Sequence, residues 1–204
     1  MAGCCCFSGD VLVTTKSCGV KRMDQLIRGE EILTLSKSGG VPKYTQFYTW
    51  IHREVDRETE FVVIKTSPGK ILKITGDHLL FGEERAAKRA GMVKIGDKIC
   101  TISSDTTLAE EVVVDVSTEM LTGVYAPFTM SGDFIANGFL VACYSDIDSF
   151  DVAHASMLPL RMFHKLDKSW KKGNKNQEGL HIYARNLCKI WDHLPTQVQT
   201  AIQK

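Results

Sequence analysis

The chain lacks any run of about 18 apolar residues, so the sequence offers no helix that spans a bilayer. It also lacks charge bias. With 25 Lys and Arg against 24 Asp and Glu, the formal charge is +1. That argues against a module held to nucleic acid by bulk electrostatics, and no nucleic-acid partner is expected. CxxC pairs are missing, which excludes the spacing of a zinc ribbon or a thioredoxin motif. The first residues form no apolar h-region, so no signal peptide is read within the chain. What is present is ordinary globular composition, 44% hydrophobic and 24% charged over 204 residues, neither disordered nor fibrous. At roughly 150 residues per domain that length amounts to about 1.4 domains, one domain plus an appendage.

The abundant oddity is cysteine. There are seven, and three are consecutive, Cys4, Cys5 and Cys6. A metal site at the triplet needs further ligands nearby and none is close in sequence, so no metal is expected. A catalytic thiol needs only one cysteine and a histidine elsewhere in the chain. A chain of this length buries a core without disulfide staples. Cys18, Cys100 and Cys188 read as buried apolar fillers or surface thiols.

The first 145 or so residues read as many short strands: Val11 to Thr14, Glu31 to Leu35, Tyr44 to Ile51, Phe61 to Ile64, Ile71 to Thr75, Lys98 to Ser103, Glu111 to Ser117, Phe134-Ile135 and Phe139 to Tyr144. The turn Ser67-Pro68-Gly69-Lys70 makes a hairpin of the fourth and fifth. This pattern predicts a mainly β sandwich or barrel-like fold. Leu26 to Leu35 also lines up with Val93 to Ile102: Gly, an acid, Ile and Thr recur at matching places. A duplicated β fold with pseudo-two-fold symmetry leaves such a trace. Past about residue 150 the period becomes helical. Ala153, Met157, Leu160, Phe163 and Leu166 form one stripe. After a break at Lys171 to Asn176, Leu180, Tyr183, Leu187, Ile190, Trp191 and Leu194 form a second. The expected helical hairpin either packs on the β domain or offers a greasy groove or membrane-facing surface rimmed by Lys165, Lys168, Lys171, Lys172 and Lys175.

Three local signatures fit together. Cys6-Phe7-Ser8-Gly9-Asp10 leads into a strand, Thr75-Gly76-Asp77-His78 sets a Thr and a His three apart, and Ala142-Cys143-Tyr144 closes the β-rich part. In this order the sequence resembles the C-terminal autoprocessing domain of Hedgehog proteins, which shares the Hint fold with inteins. Gly123 to Thr129, Ala153-His154 and Gly179 to Ala184 resemble Hedgehog segments too. The resemblance implies a five-residue leader (1–5), a Hint domain (6–147) and a helical sterol-recognition region (148–204). Within that last region Leu160, Phe163, Trp170, Tyr183, Leu187 and Trp191 are the expected lipid-binding residues.

The chemistry suits these residue types. A thiol placed beside its own preceding carbonyl attacks with a high effective molarity, giving an N-to-S acyl shift of Cys5 onto the Cys6 sulfur. The departing amine needs a proton, and a histidine delivers one near neutral pH. By resemblance, the scissile bond is Cys5–Cys6, His78 is the acid, and Thr75 holds the scissile amide. In Hedgehog proteins a sterol hydroxyl then takes the acyl group, so a cholesterol-like sterol is the expected co-substrate and no cofactor is expected. The expected partners are this sterol, a membrane surface reached by the helices, and the chain's own N-terminal segment, with the chain a monomer in the secretory pathway (the endoplasmic reticulum lumen) or outside the cell.

Two departures stand out. The family carries an Asp as general base where this chain has His52, and neutral imidazole also accepts a proton. Cys5 replaces the usual Gly ahead of the nucleophile. Cys143 matches a family cysteine and reads as an acyl relay, a transient disulfide partner of Cys6, or a buried neighbour. Two other readings stay open: thioester hydrolysis without lipid transfer, and a degenerate Hint domain that binds lipid without catalysis.

Overall fold

Glycines in the left-handed region mark where this chain reverses, and the two most informative are Gly29 (φ 97°) and Gly96 (φ 93°). Each lies in a tight turn that follows a short 3-10 helix and feeds a strand. The computed structural model describes residues 6–36, 40–67, 69–103, 106–145, 148–166 and 179–193, with 195, 197 and 200. Among these the strands are β1 (Leu12–Thr15), β2 (Gly19–Arg22), β3 (Glu31–Leu35), β4 (Pro42–Thr66), β5 (Ile71–Ile74), β6 (His78–Phe81), β7 (Ala87–Arg89), β8 (Lys98–Ile102), β9 (Leu108–Thr129), β10 (Asp133–Ala136), β11 (Phe139–Ser145) and β12 (Gly179–Leu180). The helices are α1 (Phe150–Ser156), α2 (Leu158–Leu166) and α3 (Ile182–His193).

The strand order is β2-β1-β3-β4-β9-β8-β11-β6-β7, with β5 and β12 also on β4 and β10 on β11. Its middle is the pairing of the two long strands β4 and β9, and the halves mirror one another. Gly29 donates to the Phe47 carbonyl at 2.7 Å, and Gly96 to that of Val113 at 2.9 Å. Phe47 donates back to Glu30 and Val113 to Asp97, both at 2.8 Å. The Glu30 carboxylate accepts from the Ile27 N–H, as the Asp97 carboxylate does from that of Lys94. The repeat in the sequence is thus a repeat in space, the duplicated, mainly β architecture of a Hint fold.

Two strands expected separately, Tyr44 to Ile51 and Phe61 to Ile64, are one 25-residue strand, β4. The charged stretch between them, 53–60, carries no strand pattern. Pairing with β9 holds it extended, with a register shift between Glu54 and Glu58. The expected hairpin is β4 against β5, from Lys65↔Ile71 to Val62↔Ile74. Phe7, Phe47, Tyr48, Phe61, Phe134 and Phe139, all fully buried, anchor the core.

The stripe from Ala153 to Leu166 is not one helix. Ser149 caps α1, accepting from the Val152 N–H. The chain breaks at Met157, and Pro159 sits in the first turn of α2, where its missing N–H costs nothing. Nor is the tail purely helical. β12 pairs with β4 as Gly179↔Arg53 and Leu180↔His52, and the His181 N–H donates to the Ile51 carbonyl at 2.7 Å. The break at Lys171 to Asn176 lies outside the described residues.

Candidate active site

Gly9 begins the construction. A Cβ there would sit 3.0 Å from both the Asp24 carboxylate and the Tyr125 ring, so only glycine lets the chain fold back this closely. Ser8 locks the turn by donating to Asp10 at 2.5 Å. The preceding residues are thereby laid between β9 and β5. The Phe7 N–H donates to the Tyr125 carbonyl at 2.8 Å, the Tyr125 N–H donates back at 3.0 Å, and Phe7 bridges Ile74 on its other side.

Cys6, fully buried, is gripped by Thr75 at the end of β5. Its N–H donates to Thr75 Oγ1 at 2.9 Å, and its carbonyl accepts from the Thr75 N–H at 2.9 Å. The Cys6 sulfur stands 3.4 Å from His52 Nδ1. On the far side of that ring, His52 Nε2 is 2.7 Å from Glu54 Oε1. His52 and Glu54 are two apart on β4, so strand alternation turns both side chains to one face.

His78 opens β6, fully buried. Its ring meets Phe7 edge-on, centroids 4.4 Å apart, and its N–H donates to the Thr75 carbonyl at 3.1 Å. Nε2 is 2.8 Å from the Ala142 carbonyl. A carbonyl only accepts, so Nε2 carries the hydrogen and, in the neutral ring, Nδ1 carries the lone pair.

Four of the expected residues, Cys6, Thr75, His78 and His52, therefore gather on one buried strand crossing. Cys143 keeps different company. Its thiol hydrogen-bonds Thr129 Oγ1 at 3.5 Å, and burial pushes that thiol up to about 12. No disulfide joins Cys6 and Cys143 in this structure. A cysteine that stays protonated at neutral pH is a poor acyl relay. Cys5 lies outside the described residues. Glu54 went unnoticed in the sequence because the predicted strand stopped at Ile51. Strand alternation carried two residues past His52 would have found it.

The lipid-binding set divides. Leu160 is core, and Tyr183 packs against the core with its hydroxyl donating to the Ser156 carbonyl at 2.9 Å. Leu187 is half-buried, and Phe163 is 59% exposed. Trp170 and the Trp191 side chain lie outside the described residues. On α2 the usual arrangement is inverted. Arg161 and His164 are buried, while Leu158, Met162, Phe163 and Leu166 face outward. The single stripe expected there is thus split, because His154, itself held by Tyr144, and Tyr48 offer the α2 polar groups partners within the fold. Tyr144 OH lies 2.5 Å from His154 Nδ1, Arg161 donates to the His154 carbonyl at 2.5 Å, and the His164 and Tyr48 rings are 5.0 Å apart.

Comparison with known proteins places this arrangement. A family profile described as the Hint module matches residues 1–195. The chain is 35% identical over 162 residues to protein qua-1 of Caenorhabditis elegans, covering 71% of this chain and 14% of that protein. It is 27% identical over 202 residues to Sonic hedgehog protein of Danio rerio, covering 91% and 48%. The chain thus spans about half or less of the curated relatives it matches. Among solved structures, the Ssp DnaB mini-intein variant M86 superposes with a TM-score of 0.60 at 16% identity, over 70% of this chain and 95% of that one. A bacterial intein-like domain from Clostridium thermocellum gives 0.55 at 18% identity, over 68% and 98%. At such identities the superpositions speak to the fold.

Proposed function

This chain belongs to the Hint module family, as an intein-like autoprocessing domain of the hedgehog kind, and from that premise we propose that it severs the Cys5–Cys6 bond through a thioester on Cys6 and passes the N-terminal acyl segment to a lipid hydroxyl. The observation that carries the reading is the grip of Thr75 on both backbone groups of Cys6. Thr75 Oγ1 accepts from the N–H of the scissile amide. That contact orients the leaving nitrogen and holds it beside its own thiol.

The Cys6 sulfur attacks the Cys5 carbonyl carbon, the C–N bond breaks, and the amine takes a proton from Nδ1 of protonated His78. In the second step the acceptor oxygen attacks the thioester. His52 takes the hydroxyl proton, and the Cys6 sulfur leaves. A sterol is the favoured acceptor because α2 turns Met162, Phe163 and Leu166 outward, an apolar face of the kind that settles on lipid. No described helix is long and apolar enough to cross a membrane, so the lipid is met at a surface. By the same kinship the compartment is the secretory pathway. A second reading, release to water, is favoured by His52 itself, since an imidazole beside a thioester activates water as readily as a sterol.

The test is a reporter fused ahead of Cys6, incubated with dithiothreitol, then with and without cholesterol, and the released segment weighed by mass spectrometry. Thiol-induced cleavage that vanishes in Cys6→Ala, and a sterol-sized mass gain, are expected. A gain of water alone favours the second reading, and cleavage surviving Cys6→Ala overturns both.

A further inference from the structure

The line of atoms running Cys6 Sγ, His52, Glu54 contains a residue with no role so far. Sγ lies 3.4 Å from Nδ1, and Nε2 lies 2.7 Å from Oε1 of Glu54. His52 is 94% buried at its side chain, whereas that of Glu54 is 38% exposed. The hydrogen bond from His52, with the Arg57 guanidinium 3.6 Å behind, holds the Glu54 carboxyl below the usual carboxylate range against its partial burial. Near neutral pH, Glu54 is therefore an anion that can only accept. An accepting carboxylate at Nε2 requires the hydrogen there. In the neutral ring the lone pair is then on Nδ1, on the side of the Cys6 thiol.

We propose that Glu54 is a positioning residue which selects this tautomer and raises the basicity of His52, so that the Cys6–His52–Glu54 line activates the thiol itself and not only the later acceptor. The inference rests on the thioester reading above. Before attack, the thiol proton passes from Sγ to Nδ1. The thiolate forms the S–C bond as the C–N bond breaks, and His78 supplies the amine proton. The imidazolium of His52 gives its proton to solvent and is again a neutral base for the acceptor hydroxyl. One proton enters through His78 and one leaves through His52, so charge balances. A strand is a good support for such a line, because successive same-face residues are fixed by the backbone and not by a mobile loop.

The groups that face this line come from several elements. Cys6 stands on the N-terminal segment, and Glu54 and Arg57 on β4. Tyr125 stands opposite Arg53 on β9. His181 follows β12, where burial and then Arg28 push its imidazole down, favouring the neutral form. Tyr125 is held up by burial, so it too is neutral near pH 7. In the pH range where a cysteine–histidine pair titrates, the charge in contact with His52 is Glu54, with Arg57 behind it; Arg53 lies over the Tyr125 ring and Arg28 acts on His181.

The experiment measures alkylation of Cys6 by iodoacetamide against pH, read by peptide mass spectrometry. It uses the full chain fused behind a reporter, as wild type, Glu54→Gln, Glu54→Asp and Glu58→Gln. In parallel, dithiothreitol cleavage of the same proteins is timed. Glu54→Gln keeps size and hydrogen-bonding capacity but lets an amide donate to Nε2, which turns the lone pair away from the thiol. We expect its alkylation midpoint to rise by about one pH unit and its cleavage at pH 7 to slow roughly tenfold or more. Glu54→Asp, which keeps the charge, falls between. Glu58→Gln, which removes an equal charge from an exposed part of the same strand, behaves as wild type. Matching midpoints in wild type and Glu54→Gln overturn the proposal, and so does an equal shift in Glu58→Gln. Absence of cleavage in wild type overturns the thioester reading alone, because the alkylation profile still reports whether Glu54 tunes the thiol.

Discussion

At the scale of single residues, the site separates two cysteines that look alike in the sequence. Cys6 has an imidazole at its sulfur and a threonine at its amide. Cys143 has the Thr129 hydroxyl at its sulfur and is buried in the core. Cys143→Ala is accordingly expected to leave thiol-induced cleavage at its wild-type rate while lowering unfolding free energy by about 1 kcal/mol, the cost of a small cavity. Denaturant titration and the cleavage assay check the two halves. Thr75→Val is nearly isosteric and removes Oγ1, leaving the buried Cys6 N–H without its acceptor. That costs about 1–3 kcal/mol of stability. Cleavage is expected to slow at least roughly tenfold because the leaving amide loses its fixed orientation. Cleavage at the wild-type rate in folded Thr75→Val would show that the grip on the amide is incidental.

At the scale of elements, legibility followed periodicity. Glu31 to Leu35 is β3 residue for residue, and the β4–β5 hairpin was readable from its turn, because both owe their form to local pattern. The middle of β4 was not, since its charged residues are extended only by virtue of β9. The same blindness hid Glu54. Of the site, Cys6, Thr75, His78 and His52 were readable by resemblance, but their mutual contact was not, because the strand crossing that makes it joins positions 46 and 69 residues away from Cys6. The two-residue strand β12 is too short to carry any pattern. Tertiary fit also explains Gly132, which lies between β9 and β10 at φ +83°. A Cβ there would strike His154 Nδ1 and the Tyr144 hydroxyl, the latter at 2.6 Å. Gly132→Ala combines left-handed strain with this clash. It is expected to lose about 2–4 kcal/mol and lower the melting temperature by roughly 5–15 °C, measured by calorimetry.

At the scale of the whole molecule, the duplicated sheet holds the proposed catalytic residues and α2 the outward apolar face, and the proposed mechanism makes the two separable. Replacing Phe163 and Leu166 together by Asp is expected to leave dithiothreitol cleavage intact while lowering the yield of sterol-linked product several-fold, as read by mass spectrometry with cholesterol vesicles. Equal loss of both activities would mean that α2 supports the fold and not the acceptor. The slot that seats residues 6 and 7 between β9 and β5 has a consequence for timing. Every backbone pairing described there belongs to the side of the cut that stays. In the proposed mechanism the amine formed by the acyl shift still points at Thr75, beside the sulfur that carries its former partner. An amine kept that close takes the acyl group back more readily than it gave it up, because an amide is more stable than a thioester. On that mechanism bond breaking is reversible in place, and the clock is set by the arrival of the acceptor: the domain would be a latch that opens and shuts unnoticed until something carries the acyl group away.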